Sequence, residues 1–173
     1  MPYLVRKITL AKWPTKGQAF KIDELNADTI TAELRTKTNQ LSWWIAETKE
    51  DVERIGVSFI SKLESKVGNI KLVMIPLELF QEFEVKNTPQ NGDTAVMDMR
   101  VLHYDVSNLT YRSLGGIAAL IAKTTSEYPD RIITVKVQPA IESLKKMKSD
   151  GLLDISVLGK YIKEKLEIKL EVS

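Results

Sequence analysis

The sequence predicts an α+β fold built on a mixed, partly antiparallel sheet of about five to six strands, with helices packed mainly on one face. Two observations lead to this prediction. Segments with the spacing of strands alternate along the chain with segments that have the spacing of helices. In addition, apolar and polar residues alternate strictly over 133–137 and 167–172, which is typical of strands with one face in water. A mixed α/β arrangement is the alternative.

The sequence of the first half of the chain predicts three strands, two short helices and one longer helix. Residues 3–11, 41–46 and 70–75 have the composition of strands, because apolar and β-branched side chains dominate them. Asn26 is a suitable N-cap for a short helix between the first two strands, since its side chain can accept a free N–H of the first turn. A second short helix follows over 77–83, where a proline precedes it.

The most regular helical pattern covers residues 48–64. Thr48 and Asp51 have the spacing of a capping box, in which each side chain binds the backbone N–H of the other residue. Apolar residues then recur at intervals of three and four positions, at Val52, Ile55, Phe59 and Leu63. Gly56 lies on this apolar side, so we expect the helix to approach the sheet closely.

The second half of the chain repeats the alternation of strands and helices. Residues 94–106 are rich in β-branched and apolar residues and predict one long strand or two short ones. The remaining predicted elements are a helix over 109–126, a strand over 132–137, a helix over 139–149, a helix capped by Asp154 and a final strand over 167–172.

The polar loop 87–93 is the clearest break in the chain. We predict one domain over 1–173. The arrangement that remains open is a pair of sub-lobes, 1–86 and 94–173, joined by this loop.

Composition excludes several classes of function. The chain has no cysteine and one histidine, which excludes disulfides, thiolate zinc sites, iron–sulfur clusters and cysteine nucleophiles within it. We therefore expect no cofactor and no metal site. No apolar run reaches the ~18 residues of a membrane span, and no signal-peptide pattern is found. The sequence thus predicts a cytoplasmic protein with no membrane contact.

The charges are nearly balanced, with a net charge of +2, but they are unevenly placed. Residues 1–22 contain five basic residues and no acid, whereas residues 23–33 contain four acids and no base. Either these neighbouring segments attract each other, or the basic segment faces an acidic partner or phosphates. Nucleic-acid binding is therefore an alternative that the overall charge does not favour.

His103 and Asp105 are the first candidates for chemistry. Alternate residues of a strand point the same way, so the carboxylate of Asp105 could orient the imidazole of His103. Such a pair is half of an acid–base or metal site. A structural role near the end of a strand is the simpler interpretation.

A second set of candidates is acidic. Asp130 follows a proline, and Glu167 and Lys169 are separated by one residue, which is the residue pattern of a restriction-type nuclease core. In such a core two carboxylates hold Mg²⁺ and the lysine assists the attacking water. With Asp98 and Asp105, these residues define the enzyme alternative, a small metal-dependent nuclease or phosphoesterase.

Trp43 and Trp44 are the candidates for binding. Adjacent residues of a strand face opposite ways, so both indoles can be buried only if both faces of the sheet are covered. An exposed indole would serve as a binding anchor, either at an open sheet edge or, with nearby Arg35 and Lys37, as a stacking surface for bases.

The chain lacks every strong catalytic or cofactor motif. The sequence therefore predicts a non-catalytic interaction or regulatory protein that binds a protein partner or a second copy of itself through an apolar and aromatic surface.

Overall fold

The computed structural model describes residues 1–19 and 21–168, which form an α+β fold as predicted. The strands are β1 (Tyr3–Ile8), β2 (Leu41–Ala46), β3 (Asn69–Pro76), β4 (Glu84–Asn87), β5 (His103–Ser107) and β6 (Ile132–Lys136). The α-helices are α1 (Ala27–Glu33), α2 (Lys49–Ser61), α3 (Tyr111–Glu127), α4 (Val137–Ser149) and α5 (Lys160–Lys165).

The six strands form one sheet in the order β4-β5-β2-β1-β3-β6, and all five pairings are antiparallel. The predicted number of strands is confirmed. The parallel pairs that a mixed sheet would contain do not occur among the described residues. In this part of the chain β4 and β6 each pair with one strand, so they form the two edges of the sheet.

Helices cover both faces of the sheet, rather than mainly one face as expected. Leu4 and Val5, which are neighbours on β1, belong to two separate apolar cores. One core holds side chains of α2, α4 and α5, and we call it the α2 layer. The other holds side chains of α1 and α3, and we call it the α3 layer. At β6 the alternation matches the exposure, because Thr134 and Lys136 are exposed whereas Ile133 and Val135 are partly buried.

The helix α2 begins as its sequence predicts. Thr48 accepts a hydrogen bond from the N–H of Asp51, and the Asp51 carboxylate accepts the N–H of Thr48 at 2.9 Å. The backbone N–H groups of Glu47 and Thr48 hold the pKa of Asp51 below its ordinary value. Gly56 lies directly over β6, where a Cβ atom would stand 2.6 Å from a methyl group of Val135.

Several predicted elements differ from the structure. The strand predicted over 3–11 ends at Ile8, and a 3₁₀ turn, Leu10–Lys12, follows it. Residues 94–102 form a single bridge at Val96 and a 3₁₀ helix, Met97–Leu102, before β5 begins. The helix predicted over 77–83 is a 3₁₀ turn, Leu77–Phe80, and the strand β4 that follows it was not predicted. The helix predicted from Asp154 is divided into a 3₁₀ turn and α5.

The helix α5 begins at Gly159, whose N–H donates to the carbonyl of Ser61 at 2.9 Å. A Cβ atom at this glycine would stand 2.3 Å from the carbonyl oxygen of Leu63, so only glycine allows the approach. Of the final strand predicted over 167–172, Glu167 lies in the turn after α5 with a positive φ, and residues 169–172 lie outside the described residues. Within the described ranges, no helix has the length and apolar character needed to cross a membrane.

Candidate functional site

His103 and Asp105 lie on the same side of β5, as strand alternation predicts, and both face the α2 layer. Each side chain is only 2% exposed. The Nε2 atom of His103 is 4.0 Å from the nearer carboxylate oxygen of Asp105, which is too long for a hydrogen bond. The carboxylate therefore does not orient the imidazole in the way that the sequence suggested.

The imidazole is oriented by Thr88 instead. Its Nδ1 atom lies 3.1 Å from the main-chain carbonyl of Thr88 and 3.0 Å from the threonine hydroxyl. Because a carbonyl can only accept a hydrogen bond, Nδ1 carries the proton and donates it to this oxygen. The imidazole ring also packs against the indole of Trp44 in a T-shaped arrangement, with ring centroids 5.2 Å apart.

The Asp105 carboxylate is enclosed by three donors. The hydroxyl of Thr88 donates to it at 2.9 Å, the amide of Asn91 at 2.7 Å and the hydroxyl of Ser42 at 3.1 Å. Thr88 and Asn91 belong to the segment that follows β4, whereas Ser42 belongs to β2. Asp105 thus fastens that segment to the sheet. We call Ser42, Thr88, Asn91, His103 and Asp105 the polar clamp.

Trp43 and Trp44 are both buried, at 0% and 4% exposure, and they belong to different layers. Trp43 packs edge-on against Phe80 in the α3 layer, with ring centroids 5.1 Å apart. Their strand is third in the sheet and lies at neither edge. The hypothesis of an exposed indole at an open edge is therefore wrong, because β1 and β5 flank this strand and helices cover both of its faces.

Arg35 and Lys37 are exposed on the connection between α1 and β2. Since both neighbouring indoles are buried, this connection offers no tryptophan on which a base could stack. The two basic residues consequently lose the binding role that depended on Trp43 and Trp44.

The acidic candidates do not form a carboxylate site. Asp130 lines an open cleft of about 370 Å³ at the start of α2, together with Glu47 and Glu53. Glu167 follows α5 and is exposed, and Lys169 lies outside the described residues. Asp98 forms an ion pair with Arg54. Among the described residues, no three His, Asp or Glu side chains lie close enough together to hold a metal ion.

The basic and acidic segments near the N-terminus attract each other, as one of the two interpretations predicted. Lys12 and Glu33 are 3.6 Å apart, and Lys21 and Glu24 are 3.1 Å apart. Arg6 donates to the carbonyls of Ser42 and Glu33, and burial lowers its pKa to about 10 against the opposing effect of the Glu33 charge. Several of the bases that could have contacted phosphates are thus engaged within the protein.

An exposed apolar surface that the sequence did not predict lies on the α2 layer side. Side chains from the 3₁₀ helix Met97–Leu102 and from the segment 152–155 form this surface, and four of them are 42–62% exposed. These side chains are Met97, Val101, Leu152 and Ile155, and we call them the apolar patch. An antiparallel bridge between Val96 and Leu153 brings the two segments together, and the N–H of Met97 donates to the carbonyl of Leu152.

Two arginines beside the apolar patch are paired with acids. Arg100 donates to Asp154 at 2.8 Å, and Arg54 pairs with Asp98. Hydrogen bonds from Ser156 and from the Arg100 guanidinium hold the pKa of Asp154 below its ordinary value. The apolar patch therefore has a polar rim whose ion pairs are neutral overall.

No pattern in the sequence marks this surface, because it depends on a contact between segments that are more than fifty residues apart. The adjacent pair Leu152-Leu153 gives the one local indication, since two neighbouring extended residues cannot both face the same core. Comparisons with models of protein families, with curated proteins and with solved structures found no match to this chain.

Proposed function

We propose that this chain is a non-catalytic protein-binding protein and that the apolar patch is its binding surface. The observation that carries the proposal is the grouping of exposed apolar side chains. Four of the seven large apolar side chains that are exposed in the described residues lie on two joined segments. Isolated exposed apolar residues are common on protein surfaces, whereas a contiguous group with a polar rim is typical of an interaction site.

The charges of the rim favour an apolar protein segment as the partner. Because Arg54 and Arg100 are paired with Asp98 and Asp154, neither of these arginines is free to neutralise a phosphate. A partner that inserts one or two apolar side chains would bury the patch without breaking these pairs. The nucleic-acid alternative has no comparable support. We place this activity in the cytoplasm, in keeping with a chain that has no cysteine for disulfides.

The enzyme alternative also has no supporting geometry. A hydrolase needs its carboxylates or imidazole to reach a substrate, and the side chains of His103 and Asp105 are enclosed by their neighbours. Asp98 and Asp130 lie at different places on the surface, one beside Arg54 and the other in the cleft near α2.

A crosslinking experiment followed by a binding measurement tests the proposal. A photoreactive amino acid placed at Leu152 should capture a protein in cells, and the same group at the exposed Thr31 of α1 should not. The captured protein is then purified and titrated against the wild type in a calorimeter. The double variant M97S/I155S should weaken its binding about tenfold or more, because apolar anchors of that size each contribute about 1 kcal/mol or more.

The matched control is the double variant L79S/Y111S, which removes two exposed apolar side chains outside the patch. This variant should bind the purified partner as the wild type does. Equal capture at both positions would contradict the proposal. Binding that is unchanged in M97S/I155S would also contradict it, since the patch would then lie outside the interface.

A further inference from the structure

The edge strand β6 has backbone groups that point away from the sheet. The N–H of Val137 donates to the carbonyl of Gly68, next to the pairing of Lys136 with Asn69. In an antiparallel pair the residues that bond to the partner strand alternate, so Val135 and Ile133 also bond to β3. The backbone groups of Ile132, Thr134 and Lys136 therefore point outwards.

Two of these six outward groups already have partners. The N–H of Ile132 donates to the carbonyl of Pro129, at the end of the preceding 3₁₀ turn. The carbonyl of Lys136 is the N-cap acceptor of α4 and receives the first bond of that helix. Among the residues that the structure describes, this leaves four groups on the outer side: the N–H of Thr134, the N–H of Lys136, the carbonyl of Ile132 and the carbonyl of Thr134.

We propose that these four groups pair with the same four groups of a second copy of the chain, which forms an antiparallel dimer about Thr134. With Thr134 opposite Thr134 of the second copy, Ile132 lies opposite Lys136 of that copy. Two hydrogen bonds join the central threonines. One further hydrogen bond runs from the Lys136 N–H of each copy to the Ile132 carbonyl of the other copy. The N–H of Ile132 and the carbonyl of Lys136 form no hydrogen bond between the two copies in this register. Both groups already have partners within their own chain, in the 3₁₀ turn before β6 and in α4.

The side chains of β6 also suit this register. Ile133 lies opposite Val135 of the second copy, and β-branched apolar pairs of this kind stabilise neighbouring strands. Both residues are only partly buried, and Val135 lines an open cleft of about 450 Å³ between α2 and α4. In the dimer, Ile133 and Val135 of the second copy would continue the row of apolar side chains that β6 contributes to this cleft.

The charges at the two ends of β6 are complementary. Lys136 is exposed at one end, and Asp130 is exposed just before the other end. In this register each Lys136 lies opposite Ile132 of the other copy, and Asp130 of that copy lies two residues further, in the 3₁₀ turn that precedes β6. The two Lys136 side chains lie at opposite ends of the shared strand pair, so like charges do not meet.

Sedimentation of the full chain over about a hundredfold range of concentration tests the proposal. The wild type should change from a 19.6 kDa monomer to a dimer as the concentration rises. Amide exchange should identify the surface, because the N–H groups of Thr134 and Lys136 should exchange more slowly in the dimer. The N–H of Val135 should be protected at every concentration, since it bonds to β3.

Two substitutions at one position separate loss of pairing from loss of folding. Thr134→Pro removes an outward N–H at an edge, where proline is tolerated. Thr134→Lys keeps the backbone group but places two ammonium groups opposite each other. Each should raise the dimer dissociation constant about tenfold or more, while Thr31→Lys, which adds the same charge on α1, should dimerise like the wild type.

A wild type that remains monomeric at the highest concentration would overturn the proposal. A dimer that persists in both Thr134 variants would overturn it as well, because pairing would then use another surface. The variant M97S/I155S should leave the dimer unchanged, so the outcome here is independent of the outcome for the apolar patch.

Discussion

The two edges of the sheet are protected in different ways. The β4 edge has alternating charges, with Glu84 paired to Lys86 and hydrogen-bonded by Asn108. The β6 edge has two isoleucines and a valine that are partly exposed, with Lys136 as its one charged residue. Charged side chains and short length are common means of preventing strand addition. By this comparison β4 ends the sheet, whereas β6 can be extended.

The layers behind the two edges differ as well. Behind β4, the polar clamp fastens the segment after β4 to β2 and β5 through hydrogen bonds to Asp105. Behind β6, the α2 helix approaches the strand so closely at Gly56 that no side chain fits between them. The comparison shows that a directional polar network holds the layer behind one edge of the sheet, whereas close apolar packing holds the layer behind the other.

The largest effect is expected from removing the centre of the polar clamp. Asp105→Ala removes the acceptor of the buried Thr88 hydroxyl and of the Asn91 amide, and losing hydrogen bonds to a buried carboxylate costs about 3 kcal/mol. Urea denaturation should show this decrease in the free energy of unfolding. Asp98→Ala, which removes an exposed ion pair, should cost less than about 1 kcal/mol. A similar small loss in Asp105→Ala would show that the clamp does not hold the β4 end.

A smaller effect is expected at the β6 end. Gly56→Ala should lower the free energy of unfolding by about 1–3 kcal/mol, because the new methyl group overlaps the Val135 side chain. Gly115→Ala is the control: it also lies within a helix, has no neighbour within 4 Å of its Cβ position, and should gain about 1 kcal/mol of helix propensity. The loss in Gly56→Ala should shrink when Val135→Ala is added. An unchanged loss in that double variant would contradict the packing argument.

The smallest effect concerns pH at the β4 edge. Hydrogen bonds from Lys86 and Asn108 lower the pKa of Glu84 below its ordinary value of 4.5. As the pH falls below 4.5, the unfolded chain binds this proton before the folded chain does, so stability is lost through the window down to the folded pKa. Glu84→Gln should make thermal unfolding slightly less sensitive to acid in this window. An identical acid dependence in wild type and variant would mean that the pair with Lys86 does not stabilise the fold.

Local signals in the sequence predicted the elements whose causes are local. The capping box of Thr48 and Asp51 correctly predicted the residue at which α2 begins. Gly56 correctly indicated that α2 approaches the sheet closely. The 3₁₀ helix Met97–Leu102 was missed because its residues have strand-like composition, and the bridge at Val96 ties it to a distant segment. Its conformation is determined by that tertiary contact rather than by propensity.

The order of strands could not be predicted, and the candidate sites depended on it. Alternation correctly placed His103 and Asp105 on one side of a strand, but their partners come from β2 and from the segment after β4. The same alternation indicated that Trp43 and Trp44 can both be buried only if both faces of the sheet are covered. Whether helices cover both faces was decided by contacts between distant segments, which no local pattern records.

The position of Trp43 and Trp44 has a consequence for how the protein unfolds. One peptide bond joins an indole that fills the α3 layer to an indole that fills the α2 layer. If either layer detached, water would reach one face of β2, and the strand would lose half of the packing that holds the other indole in place. The two layers are therefore expected to unfold in a single cooperative transition, and in each single-tryptophan variant that keeps Trp43 or Trp44 the fluorescence of that indole and the far-UV circular dichroism should report the same midpoint.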